Sequence, residues 1–182
     1  MENQTDRSKQ NLAFRIAAVA VLTALTTVCT MIIRVPVTPT RGYINLADVA
    51  IFFTALTFGP FTALAAGGLG TALADILGGY AQWAPITFFA HGIQGMAIGM
   101  IFRASGVDSR GRMILALILS FIAATVIMAG IYFVTGGLMY GFGAAATEIP
   151  GNILQNAAGV IVGFPLYLAV KKAYPPISAY RW

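Results

Sequence analysis

Long apolar runs separated by short polar breaks set the plan of this chain. Six runs stand out, at residues 12–33, 46–58, 61–77, 86–102, 113–135 and 149–170. A helix needs about 20 residues to cross the hydrocarbon of a bilayer, with about 17 as the short limit. Five runs reach that length, and the second falls short of it. Two of them meet at Gly59-Pro60, and the fourth begins after the aromatic break at 78–85. Within the stretch from Gly42 to Gly95 stand Asn45, Asp48, Asp75, Gln82, Trp83, His91 and Gln94. Ionisable groups are expensive at membrane depth and usually face a protein interior or a water-filled pocket. The pattern predicts an all-α integral membrane protein with a small polar ligand held in its central stretch.

Composition agrees. Of 182 residues, 58% are hydrophobic and only 9% charged, against about a quarter charged in soluble domains. The net charge of +5 forms no stripe for nucleic acid, because the basic residues lie between apolar runs. Cys29 is the only cysteine, which leaves no intramolecular disulfide and no thiolate metal cluster. The first run outlasts a signal-peptide core and has no clear small-residue cleavage site, so it is read as a retained span.

Charge placement decides the number of spans. Arg7, Lys9 and Arg15 precede the first run; Arg103, Arg110 and Arg112 follow the fourth; Lys171, Lys172 and Arg181 follow the sixth. With six spans these nine share one side, against Arg34 and Arg41 on the other. Merging the second and third runs would put the 103–112 cluster outside. The positive-inside rule favours a six-helix bundle with both termini cytoplasmic, and bilayer thinning accommodates the short second helix. The expected layout is a tail at 1–11, one transmembrane substrate-binding domain at 12–172 and a tail at 173–182. The outer loops, 35–45, 78–85 and 136–147, are varied in composition, whereas the inner ones are short or merely charged. A binding site is expected to open outward.

Several polar groups are candidate ligand contacts, each with a structural alternative. Glu148, Asn152 and Asn156 fall at i, i+4 and i+8 on one helical face, where they can hydrogen-bond a heterocycle or cap the helix and bind neighbouring helices. Gln155 lies on the adjacent face. His91 and Gln94 share a face of the fourth span, as ligand contacts or as satisfied interior groups. Trp83, Tyr132 and Tyr140 fit either an interfacial aromatic belt or the aromatic wall of a pocket, and for Tyr80 the belt is the stronger reading. Asn45 and Asp48 suit capping of the second helix, and Arg41 is placed to pair with Asp48 or Glu148. Ala17, Ala20 and Ala24 make a smooth strip on the first span, the kind that lets another helix approach closely. Gly95 and Gly99, and Gly159 and Gly163, carry the same spacing, with packing inside the bundle the stronger reading. A metal site is not expected, since His91 is the sole histidine. No phosphate loop, Gly-x-Ser-x-Gly or His-Glu-x-x-His occurs, which argues against nucleotide hydrolysis and against an enzyme.

Three segments carry a family resemblance: Ala20-Val-Leu-Thr-Ala24-Leu25, Gly42-Tyr-Ile-Asn-Leu-Ala-Asp48, and Ala74-Asp75-Ile-Leu-Gly-Gly-Tyr80 leading into Trp83-Ala-Pro-Ile-Thr87. In this order the chain resembles the substrate-binding S-components of energy-coupling factor (ECF) vitamin transporters, of the riboflavin or hydroxymethylpyrimidine type. The resemblance covers about residues 14–172. It implies a subunit of the prokaryotic cell membrane, without cofactor or catalysis, that binds a vitamin or precursor from outside. It further implies toppling of that subunit onto a transmembrane coupling subunit joined to two ATPases, with Ala20 and Ala24 closest to the docking motif. The same resemblance favours Trp83, His91, Glu148 and Asn152 as ligand contacts, and Gln94, Asn156, Asn45 and Tyr132 are expected to join them. One acid with amides and aromatics suits a pyrimidine or pyridine precursor first, and a flavin or deazapurine-like base second. A self-sufficient small secondary transporter or channel is the alternative; it needs a conduction path through inner halves nearly bare of polar groups.

Overall fold

A computed structural model describes residues 4–107 and 109–180, with side chains over 12–107 and 109–177. The chain runs through α1 (Gln4–Ile32), a hairpin of β1 (Val35–Val37) and β2 (Gly42–Ile44), α2 (Ala47–Phe58), α3 (Pro60–Gly78) and α4 (Ala84–Ala104). It continues with α5 (Arg110–Tyr140), α6 (Phe142–Ala146), α7 (Ile149–Ala158), a π-helical turn at Gly159–Gly163 and α8 (Phe164–Ala173). Five helical stretches among the described residues are long and apolar enough to cross a membrane: Leu12–Ile32, Pro60–Gly78, Ala84–Ala104, Arg110–Tyr140 and Phe142–Ala173.

Two of the segments expected as outer loops depart from the plan. The segment at 35–45 is not plain loop: Val35 pairs with Ile44 and Val37 with Gly42 in an antiparallel ladder. A 3-10 turn at Thr38–Thr40 and a left-handed Arg41 (φ 52°) reverse the chain between the strands. The segment at 136–147, expected as loop, is largely helical. Here α5 continues to Tyr140 and the chain reverses at Gly141 (φ 93°). A side chain at Gly137 would obstruct the return of α6, since its Cβ would sit 2.3 Å from the Phe142 ring. At the N-terminus, the polar residues from Gln4 onward continue the α1 backbone instead of forming a loose tail.

The short helix α2 is the hub. Its 12 residues rise about 18 Å, well short of a bilayer core of about 30 Å. Ten of those residues are buried, and the helix touches α1, α3, α4 and the whole terminal stretch α7–π–α8. Its mostly apolar composition follows from this, because a helix enclosed on every side has no solvated face to present, and its polar residues Asp48, Thr54 and Thr57 are buried with the rest.

The glycine pairs make that enclosure. A Cβ on Gly95 would lie 2.9 Å from the Ala63 carbonyl oxygen, and one on Gly99 would lie 2.6 Å from the Pro60 backbone. Gly159 and Gly163 set the π-helical turn against the Asp48 and Val49 carbonyls. Both pairs are internal packing. Ile51, Phe52, Leu56, Ile98, Phe102, Leu117 and Tyr167 fill the core away from the hairpin. The outside is apolar instead, with Val21, Leu77, Leu138 and Ile161 each more than two-thirds exposed or nearly so. Meanwhile Asp48, Gln94 and Asn156 are wholly buried. This inversion suits a lipid solvent.

Gly99→Ala should destabilise the bundle by about 1–3 kcal/mol, the usual cost of overpacking, because the clash is with backbone that cannot swing away. Gly111→Ala, with open space around its Cβ, should leave thermal unfolding in detergent unchanged. Equal melting of both variants would refute this account of the α3–α4 contact.

Candidate ligand-binding site

The site is assembled at the hairpin end. Beneath the hairpin a small cavity is lined by Val37, Gly42, Tyr43, Ile44 and Asn45 from above. Asp75 comes from the last turn of α3, and Trp83, Thr87 and His91 from the approach to α4 and its first turns. Met128 and Tyr132 of α5 complete the wall with Glu148, Asn152 and Gln155. The enclosed volume is about 30 Å³, room for a water molecule or two. Pockets for drug-sized ligands usually run to about 300–1,000 Å³. An organic ring fits there only if the lining side chains or the hairpin above them move apart.

Hydrogen bonds tie this roof to the helices. The Thr40 hydroxyl donates to Glu148 Oε1, and Gly42 passes so close that a Cβ would lie 2.7 Å from the same oxygen. The Asn45 backbone N–H donates to Gln155 Oε1. The Tyr43 hydroxyl donates to Asp75 Oδ1 at 2.6 Å. Burial, and then the neighbouring Asp75 carboxylate, push the Tyr43 hydroxyl well above its ordinary pKa, so it stays protonated and remains the donor.

Arg34 completes a clasp at the rim. Its Nη2 donates to the Ala74 carbonyl at 2.8 Å, near the C-terminal end of α3, where the helix dipole favours a cation. The guanidinium also lies over the rings of Tyr43 and Tyr80, at 4.9 and 5.9 Å from their centroids. Those rings are themselves 4.6 Å apart. Tyr80 thus secures the hairpin, in a half-buried position where a belt residue was expected.

Below the cavity lies a second polar layer. Gln94 Nε2 donates to Asp48 Oδ1 and, at 2.9 Å, to Asn156 Oδ1. Asn156 Nδ2 donates to the Asn152 carbonyl at 3.0 Å and contacts Met128 Sδ at 3.3 Å. His91 Nδ1 stands 3.7 Å from Asp48 Oδ1. Of the expected contacts, Trp83, His91, Glu148, Asn152, Asn45 and Tyr132 line the cavity, while Gln94 and Asn156 belong to this layer beneath it. Asn45 does cap: its Oδ1 accepts from the Ala47 N–H at 2.7 Å. The Asp48 side chain instead joins the buried network. Arg41 is exposed and makes no ion pair with Asp48 or Glu148 among the described residues.

Trp83 is 3% exposed, with its ring 5.7 Å from Tyr132 and 5.9 Å from Tyr140. It is a wall of the pocket, and Gln82 beside it points to solvent or lipid. Asp75, Thr87, Tyr43, Met128 and Gln155 also line the cavity without having been singled out as contacts. The signal for Asp75 was present, since a lone carboxylate in an apolar run marks a functional position. Elsewhere on the molecule, Ala17, Ala20 and Ala24 are exposed on α1. Ala20 and Ala24, with Val19, Leu69 and Leu73, line an open apolar groove along α1 and α3.

Residues 11–172 match the ECF-type riboflavin transporter S component family. The chain belongs to this family. It is also 35% identical over 151 residues to an uncharacterized protein of Pyrococcus woesei, covering 83% of this chain and 97% of that one. A third likeness is to the thiamine precursor transporter HmpT of Lactococcus lactis, 33% identical over 153 residues, or 84% of this chain and 82% of the relative. Membership makes the chain a membrane transport component for vitamin uptake, not an enzyme. For an S component, a small vitamin as substrate and an ECF module as partner follow from the family.

Replacing Arg34 by Gln removes the cation over two rings and its hydrogen bond to the Ala74 carbonyl. Amide exchange of residues 35–44 should then accelerate by about tenfold, the worth of a cation–π contact with a hydrogen bond, while α2 exchange stays slow. Unaltered exchange in the hairpin would mean that Arg34 does not hold the roof.

Proposed function

We propose that this chain is the substrate-binding subunit of an ECF-type importer that captures an aminopyrimidine vitamin precursor, of the hydroxymethylpyrimidine kind, from outside the cell. The observation that carries the reading is the polar cavity roofed by a clasped hairpin at one end of an otherwise apolar bundle. A carboxylate, several amides and an aromatic wall converge there, as a binding site for a flat heterocycle requires. The walls enclose so little space that one ring demands less displacement than the three fused rings of a flavin, which makes a flavin the second choice. The likeness to HmpT points the same way.

In this reading the chain crosses the cytoplasmic membrane of a prokaryote six times, with α2 as the short span. Both termini face the cytoplasm, consistent with nine of the eleven basic residues on that side. Residues 12–172 form the single substrate-binding domain between two short tails. Trp83, His91, Glu148, Asn152, Asn45 and Tyr132 contact the ligand, and Gln94 and Asn156 support them from below. The loaded subunit topples and docks through Ala17, Ala20 and Ala24 onto a coupling subunit with two ATPases. The exposure of these alanines supports docking over packing within the bundle, because small residues allow close helix approach. A free-standing secondary transporter or channel is disfavoured by the apolar core formed by Phe102, Leu117 and Tyr167, which offers no polar path across the other half.

Mass spectrometry of small molecules released from the purified protein should yield one enriched pyrimidine, and the double variant Ala20→Trp, Ala24→Trp should retain it while losing uptake in cells that supply the ATPase module. Normal uptake by that variant would sink the docking assignment. Uptake in liposomes by the chain alone would sink the importer reading.

A further inference from the structure

Two carboxylates line the cavity, and their oxygens are not equally committed. Glu148 Oε1 takes the Thr40 hydroxyl and packs against Gly42, so this acid fastens the roof. Asp75 is different. It is 2% exposed and sits in the last turn of α3, where the Tyr80 N–H returns to its carbonyl at 2.8 Å beside the left-handed Gly79. That termination fixes where its side chain starts. The Tyr43 hydroxyl then holds Oδ1 at 2.6 Å, which fixes the carboxylate. The Thr87 hydroxyl, which accepts from Tyr132 at 3.0 Å, also bears on this carboxylate as a donor, while Oδ2 has no partner within hydrogen-bonding distance among the described residues.

Other lining groups in the same condition are of opposite kind. Trp83 Nε1 and Asn152 Nδ2 are buried donors without acceptors. His91 Nδ1 is also unbonded but faces Asp48, in the layer below. The wall thus presents an open acceptor at Asp75 and open donors at Trp83 and Asn152. A buried polar group left unpaired is costly, so the complementary ligand brings an N–H to Asp75 and ring acceptors to the two donors.

We propose that Asp75 is the specificity-determining acid of this site, accepting a hydrogen bond from the ring amine of the pyrimidine. The assignment rests on the binding reading above and adds to it the group that separates an aminopyrimidine from its oxo counterpart. An oxo group would set one oxygen acceptor against another, with no proton between them. Sites built to hydrogen-bond one substrate group discriminate strongly against analogues that lack it.

The test is calorimetric titration of the full-length protein in lipid nanodiscs with two probes: hydroxymethylpyrimidine bearing its ring amine, and the pyrimidinone in which oxygen replaces that amine. The wild type should prefer the amine. Asp75→Asn, which turns one acceptor into a donor, should bind the amine about tenfold to a hundredfold more weakly, as for loss of a hydrogen bond to a charged group, and should narrow or reverse the preference. Glu148→Gln should weaken both probes in common proportion. Wild type that binds both probes equally overturns the Asp75 assignment and leaves the binding reading standing, whether or not the variant folds. Wild type that binds neither overturns both. Preference kept in Asp75→Asn and lost in Glu148→Gln would make Glu148 the reader instead.

Discussion

A carboxylate enclosed by an apolar bundle has to be met by hydrogen bonds, and the rest of this structure is built around how Asp48 is met. Leaving such a group unpaired away from water costs several kcal/mol at least. Gln94 of α4 reaches its Oδ1, Asn156 of α7 completes the amide chain, and His91 stands opposite the same oxygen, while Oδ2 has no partner among the described residues. Three helices distant in sequence are thereby fixed in rotation and height. A slip of α4 or α7 by one residue would turn an amide into lipid or core and strand the carboxylate. Buried polar networks of this kind specify one arrangement where apolar packing alone tolerates several.

That fixed layer is the floor of the cavity. His91 and Asn152 stand on the same helices as Gln94 and Asn156, so the network that secures the helices also aims the groups above it. The roof is secured differently. The hairpin is only two three-residue strands, too small to be stable by itself. It is held by side chains reaching from the helices: Glu148 to Thr40, Gln155 to the Asn45 N–H, Asp75 to Tyr43, and Arg34 across the aromatic pair. A rigid floor with a separately fastened roof suits a protein that must open for its ligand without unfolding.

The two ends of the bundle differ in the same sense. Polar groups concentrate beneath the hairpin, while large apolar side chains fill the other end around Phe102 and Tyr167. Such an interior binds at one end and does not conduct. The alanine face of α1 is left exposed beside an apolar groove.

Membrane character, the long helices, the smooth face of Ala17, Ala20 and Ala24, and the stripe starting at Glu148 and Asn152 were determined by the sequence itself. They rest on local periodicity, which a helix converts directly into a face. The rest was decided only by tertiary structure. Three-residue strands leave no readable alternation, so the hairpin was invisible, and the glycines at 136–137 read as loop until α6 folded back on them. Asp48 has the position of a cap in sequence and the partners of a core residue in space. The stripe also shifted, because Gln155 turned to the Asn45 N–H and Asn156 to the layer below. The contacts that make the site join residues 32, 108 and 110 positions apart. No local pattern encodes which distant donor will meet a buried acceptor. That pairing is fixed only when the helices pack, because burial is what makes an unmatched polar group costly.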